Sequence, residues 1–271
     1  MSDSIPLLLE CKELENLLDN EQLLIVDLSP EEQYIREHIP GAIWLDYNDI
    51  VAARPPAMGL LPDVAELSQV LSEIGLTEHS HVVAYDNENS GKASRLIWTL
   101  DCLGHQNASL LNGGFTAWIN ADHPTSNEET EAEASEYTAT LSGEALADKN
   151  YIQSKLGDTN TVLLDTRTAQ EYNGEVVRAA RGGHIPGAVN VNWTDAIDMD
   201  NDLKLKQVNE LRAMYEAAGI TPDKEIITYC QTHHRSAHSY MVLKCLGYPN
   251  IRGYHGAWSD WGNDHHLPIE P

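Results

Sequence analysis

The chain is written twice, and that repeat limits what it can fold into more than any other feature. The stretch "LIVDLSPEEQYIREHIPGAIWLDY" (residues 24–47) matches "VLLDTRTAQEYNGEVVRAARGGHIPGAVNVNW" (residues 162–193), which carries eight extra residues before His184. "EIGLTEHSHVVAYD" (73–86) matches "AAGITPDKEIITYC" (217–230), and "CLGHQNASLLNGGFTAW" (102–118) lies over "CLGYPNIRGYHGAWSDW" (245–261). Gly104 then faces Gly247, Asn107 faces Asn250, Gly113 faces Gly256 and Trp118 faces Trp261. Between the copies runs "TSNEETEAEASEYTA", which is acidic, small and without apolar periodicity, as in an exposed linker. The expected organisation is a first domain over 1–124, an acidic linker over 125–139 and a second domain over 140–271.

Within each copy, short β-branched runs alternate with helical patterns. "TVLLD" and "EIITY" read as buried strands. "QVNELRAMYEAAG" reads as an amphipathic helix ending at Gly219, and "SAHSYMVLKCLG" as another closed by Gly247. Strands alternating with helices predict an α/β fold, a mainly parallel sheet flanked by helices in each copy. Sites in such sheets form beyond the C-terminal strand ends. Asp27 and Asp165 end strands, where turn amides, Arg36 or Arg167 can satisfy them, and Trp118, Trp258 and Trp261 read as packing residues.

Cys230 stands at one such strand end, followed by the polar loop Gln231, Thr232, His233, His234 before Arg235 and Ser236 open a helix. Such a loop carries backbone N–H groups without helical partners, and curled around a point they form an anion nest backed by the helix dipole. A thiol at the mouth of that nest has its pKa lowered, and Arg235 adds a fixed charge. The first copy holds Asp86 at the matching place, where a carboxylate fills or repels an anion nest and cannot act as a sulfur nucleophile. One catalytic site on a duplicated fold is therefore expected, with Cys230 as its nucleophile. The other cysteines, Cys11, Cys102 and Cys245, form no CxxC pair and read as reduced core residues.

On these motifs the chain resembles the tandem-domain rhodaneses, thiosulfate:cyanide sulfurtransferases, and is close to bacterial members with a CQTHHRS loop. The resemblance spans nearly the whole chain. It implies two rhodanese-like domains, the first catalytically inactive. It also implies a persulfide on Cys230, made from thiosulfate or a similar donor, cradled by Gln231 to Ser236 and passed to cyanide, a thiol or a protein acceptor. No metal or organic cofactor is implied, and a monomer is expected. Family members with "CRKG" carry two cations beside the nucleophile and an Arg at the place of Glu171. Here Gln231, Thr232 and Glu171 stand instead, which thins the charge and leaves the physiological donor and acceptor open.

Two other enzymes compete. Cysteine phosphatases on the same fold use C-x5-R, one residue longer than the spacing from Cys230 to Arg235, and mercaptopyruvate sulfurtransferases carry a "CGSGVT" type of loop. A metal site on His233, His234, His238, His265 and His266 is disfavoured, because neighbouring histidines converge poorly on one ion.

The net charge of −25 argues against nucleic acid or anionic lipid as partner. The charge is uneven: residues 1–124 carry 5 Lys and Arg against 20 Asp and Glu, whereas residues 139–271 carry 12 against 17. An anionic substrate at the second copy would account for that. No apolar run approaches the roughly eighteen residues of a membrane span. The opening residues lack the pattern of a signal peptide, so a cytoplasmic protein is expected.

Overall fold

The computed structural model describes residues 5–271. Two compact units form. One gathers the residues up to Ile50 with Pro62–Ser142 and Asp198–Leu205; the other gathers Val51–Leu61, Gly143–Ile197 and Lys206–Pro271. Each unit thus includes a short segment from the other half of the sequence.

Each unit is built on a five-stranded sheet whose neighbouring strands are all parallel. In the first, the strands lie in the order Leu8–Leu9, Ala108–Leu111, His81–Tyr85, Leu23–Asp27, Ile43–Trp44. In the second they lie in the order Leu146–Ala147, Ile251–Tyr254, Glu225–Tyr229, Thr161–Asp165, Val189–Asn190. The spatial order relative to the chain is the same in both, so the written repeat is a repeated topology. Parallel neighbours need long crossovers, and helices fill them, burying both sheet faces. Thr161–Asp165 and Glu225–Tyr229 are strands over the expected residues.

In the second unit the period of two along a strand divides the core. Leu163, Ile227 and Tyr229 join Trp258 and Trp261 in one buried cluster. Thr228 points to the other face, where its hydroxyl donates to the Ser236 carbonyl at 3.0 Å. Both tryptophans are fully buried, and truncating either to Ala should cost about 3–5 kcal/mol.

Helix Val208–Ala217 is amphipathic as expected, burying Leu211 and Tyr215. Helix Arg235–Cys245 is not: every residue from Ser236 to Leu243 is buried. It packs on the strands Glu225–Tyr229 and Ile251–Tyr254 and on the short turn Trp193–Ala196, so little of it reaches solvent. Gly247, at φ +81°, turns the chain out of this helix in the left-handed conformation that a side chain resists.

The acidic run 125–139 keeps all its glutamates exposed while its backbone is fastened to the first unit. Ser126 and His38 exchange backbone hydrogen bonds at 2.9 Å, Ser135 N–H donates to the Ser72 carbonyl at 2.9 Å, and Ala139 N–H donates to Ser68 Oγ at 3.0 Å. Composition reveals the solvated side chains but not these main-chain contacts. Asp27 is held by the Ser29 amide at 2.7 Å, not by Arg36, whose guanidinium bonds Gln33.

Candidate active site

Strands Thr161–Asp165 and Glu225–Tyr229 run in register, Asp165 beside Tyr229, so the chain leaves both at one edge of the sheet. Cys230 follows directly and is only 1% exposed. Burial alone would push its thiol up. The Arg235 charge, the Ser236 hydroxyl and amide, and the Thr232 amide outweigh that and hold it below the ordinary thiol value. The Ser236 hydroxyl also lies 2.7 Å from His233 Nδ1. It has one proton to give; with that proton on the sulfur, His233 Nδ1 is the donor to Ser236 Oγ. His233 is buried, at φ +55°, and forms the turn that curls the loop.

Arg235 opens the helix and forms a two-pronged pair with Glu171, Nη1 to Oε2 at 2.7 Å and Nη2 to Oε1 at 3.0 Å. Glu171 is 2% exposed. Burial alone would raise its carboxyl, but Arg235 and the Thr168 amide and hydroxyl hold it down to about 2. A second guanidinium, Arg178, places Nε 3.0 Å from Glu171 Oε1 with its side chain 61% exposed. Arg178 belongs to the eight-residue insertion before His184, and its carbonyl accepts the Gln231 side-chain amide at 3.1 Å. The insertion therefore borders the loop that follows Cys230.

The structure gathers Gln231, Thr232, His233, His234, Arg235 and Ser236 around Cys230, in unequal roles. Thr232 and Ser236 touch the sulfur; Gln231 turns its side chain to the insertion; His234 lies beside Trp193, ring centroids 6.4 Å apart. The turn after Tyr254 and the short helix Ala257–Trp261 it leads into hold the loop from behind: Trp258 N–H donates to the Cys230 carbonyl at 2.9 Å and Ser259 N–H to the Gln231 carbonyl at 3.0 Å. Trp258 is fully buried, with the Arg167 guanidinium 4.6 Å above its ring, and Arg167 is locked to Asp165 by Nε at 3.0 Å. Sequence reading missed Arg178 and the role of Glu171. The insertion and the larger share of Lys and Arg in the second half were the signals that pointed there. Among the described residues no group of three or more His, Cys, Asp or Glu could hold a metal ion. No helix among them is long and apolar enough to cross a membrane.

In the first unit the matching loop encloses Asp86, 1% exposed. Its Oδ1 accepts the Glu88 amide at 2.7 Å and the Ser90 amide at 2.9 Å, and its Oδ2 accepts the Ala93 amide at 2.9 Å. The nest is built there too, and its own carboxylate occupies it.

Comparison with known families gives the Rhodanese-like domain twice, over residues 10–121 and 148–264. The chain belongs to the rhodanese family. It is 42% identical to the thiosulfate sulfurtransferase of Azotobacter vinelandii over 98% of both chains. It is also 42% identical to that of Pseudomonas aeruginosa, over 98% of this chain and 97% of the relative. The 3-mercaptopyruvate sulfurtransferase of Escherichia coli K12 is 31% identical over 90% of this chain and 87% of its own. Among solved structures, the anaerobic ergothioneine biosynthesis enzyme from Chlorobium limicola superposes with a TM-score of 0.88 at 23% identity, over 97% of this chain and 70% of that one, a likeness of fold. This rhodanese is a sulfurtransferase, moving sulfur from a donor to an acceptor.

Proposed function

We propose that the protein transfers the outer sulfur of thiosulfate to a thiophilic acceptor through a persulfide on Cys230. The observation that carries this is a buried thiol whose acidity is enhanced by an arginine and by loop amides. The Cys230 thiolate attacks the outer sulfur, a new S–S bond forms, and the original S–S bond breaks with its electron pair leaving on sulfite. The persulfide anion stays among the amides from Gln231 to Ser236. Cyanide, a thiol or a protein thiol then takes the outer sulfur and returns the thiolate, a covalent two-step cycle with ping-pong kinetics.

In this reading the first domain, residues 1–124, is catalytically silent, because Asp86 fills the nest that Cys230 occupies in the second. The relatives named thiosulfate sulfurtransferase support thiosulfate as donor.

Intact mass spectrometry after thiosulfate treatment tests the proposal. The protein should gain the mass of one sulfur atom, cyanide should remove it, and Cys230→Ala should neither gain it nor turn over while remaining folded. Full activity in Cys230→Ala would place the nucleophile elsewhere.

A further inference from the structure

The hairpin of strands Ala52–Arg54 and Ala57–Leu60 lies far from Cys230 in sequence yet belongs to the unit that carries it. It has no motif and plays no part in the chemistry described so far. Its second strand nevertheless runs against the nucleophile loop. A Cβ placed on Gly59 would fall 2.0 Å from the Thr232 carbonyl oxygen, 2.5 Å from its carbon and 2.8 Å from its Cα. Only hydrogen fits there, and what it faces is main chain, which cannot swing aside as a long side chain can. Gly59 has no left-handed φ to explain it, so close approach is the reason for glycine at this place.

Residues flanking Gly59 tie the hairpin to the turn that backs the loop. Met58 N–H donates to Ser259 Oγ at 3.0 Å, and Leu61 N–H donates to His255 Nδ1 at 3.0 Å. The short helix Ala257–Trp261 at that turn gives its Trp258 and Ser259 amides to the carbonyls of Cys230 and Gln231. The loop is therefore gripped from two sides. The short helix holds the carbonyls of Cys230 and Gln231, and Gly59 limits where the next carbonyl, that of Thr232, can go. In a trans peptide the C=O and the following N–H point opposite ways. Setting the Thr232 carbonyl against the hairpin sets the His233 N–H away from it. The Thr232 amide itself donates to the sulfur.

We propose that this hairpin is a brace of the catalytic loop and that Gly59 is a positioning residue for sulfur transfer, keeping the loop amides directed at the Cys230 sulfur. The assignment rests on the persulfide reading above for its rate prediction, but its effect on the thiol stands apart from any substrate.

The test is the pH dependence of Cys230 alkylation by iodoacetamide, followed by intact mass, together with the rate of persulfide formation from thiosulfate. In Gly59→Ala the alkylation midpoint should rise by about one pH unit or more. Persulfide formation should slow by at least about tenfold. Met58→Ala, which removes a 46% exposed side chain next door and keeps the backbone bond, should change neither. If Gly59→Ala does not fold, Ser259→Ala takes its place: it removes the acceptor for the Met58 amide and should raise the midpoint by a smaller amount. A wild-type midpoint and rate in Gly59→Ala, or a wild-type midpoint in Ser259→Ala where only that variant folds, overturns the proposal. So does a shift in Met58→Ala as large as that in Gly59→Ala. Should the wild type gain no sulfur from thiosulfate, the functional reading fails, while the alkylation midpoints still decide the role of the hairpin.

Discussion

A buried carboxylate between two guanidinium groups sets the charge around Cys230. Glu171 takes both Nη atoms of Arg235 and the Nε of Arg178, so with the thiolate the group sums to near neutrality before a donor arrives. An incoming thiosulfate dianion meets a different prospect at each arginine. Arg235 has its fork committed to Glu171 and its charge to the sulfur. Arg178 is exposed, held through one nitrogen, and can turn to an anion. The family resemblance marks Glu171 as an acid where some members carry a cation; only the fold shows that this acid orients Arg235. The nest around Cys230 was legible, because a strand end, a polar run and a helix start announce one. Arg178 was not, because its approach depends on how the insertion folds back. Arg235→Ala should raise the thiol pKa and slow persulfide formation by more than about tenfold, a cost above about 1.4 kcal/mol. Transfer from preformed persulfide to cyanide, with the amides still in place, should stay within about tenfold of wild type. Rapid mixing of the two half-reactions separates them, and an unchanged first step would reduce Arg235 to a tie between the helix and Glu171.

The helix Arg235–Cys245 supplies the field at the nest and is itself fixed by burial on nearly every side. Its C-terminal glycine was legible from sequence. Its environment was not, since the alternation of polar and apolar residues suggests a wet face that packing has removed. The consequence is His238, 1% exposed, with neither ring nitrogen hydrogen-bonded among the described residues and the Trp193 ring edge-on at 5.4 Å. Burial, and then the neighbouring His234, push its pKa down to about 4. The unfolded chain binds this proton near pH 6.5 and the folded chain only near 4, so the unfolded state holds more protons between these values. The stability contribution is complete above about pH 6.5 and is lost as pH falls toward 4, at up to about 1.4 kcal/mol per unit. Thermal melts of wild type and His238→Asn across this window should diverge in slope, the variant losing less stability on acidification. Parallel slopes would mean that His238 takes up its proton without unfolding.

At the scale of the whole molecule, one topology has been used twice, with a carboxylate in one nest and a thiol in the other. The repeat, the two parallel sheets and the strand ends were legible because "HIPGA" and the paired strand runs recur in order. The hairpin Ala52–Leu60 was not, because it has no counterpart motif in the alignment of the halves and its meaning lies in a contact distant along the chain. The contrast between the nests gives the last prediction. Asp86 is buried and accepts the Glu88 and Ser90 amides of its loop and the Ala93 amide of the helix that follows, bonds to a carboxylate that contribute about 1.5–3 kcal/mol each at most and are not additive. Asp86→Ala removes the acceptor and leaves those amides facing an empty nest. The variant should lose about 2–4 kcal/mol of stability, which a denaturant titration reads directly. An anion able to enter should restore part of it. Added sulfate should therefore raise the midpoint of Asp86→Ala more than that of wild type, in proportion to the occupancy of the nest. Sulfur loading of Cys230 in this variant should match wild type, since the nucleophile and its amides are untouched. If Asp86→Ala were as stable as wild type and indifferent to sulfate, the carboxylate would not be what holds the first loop in shape. The silence proposed for that half would then rest only on the missing thiol.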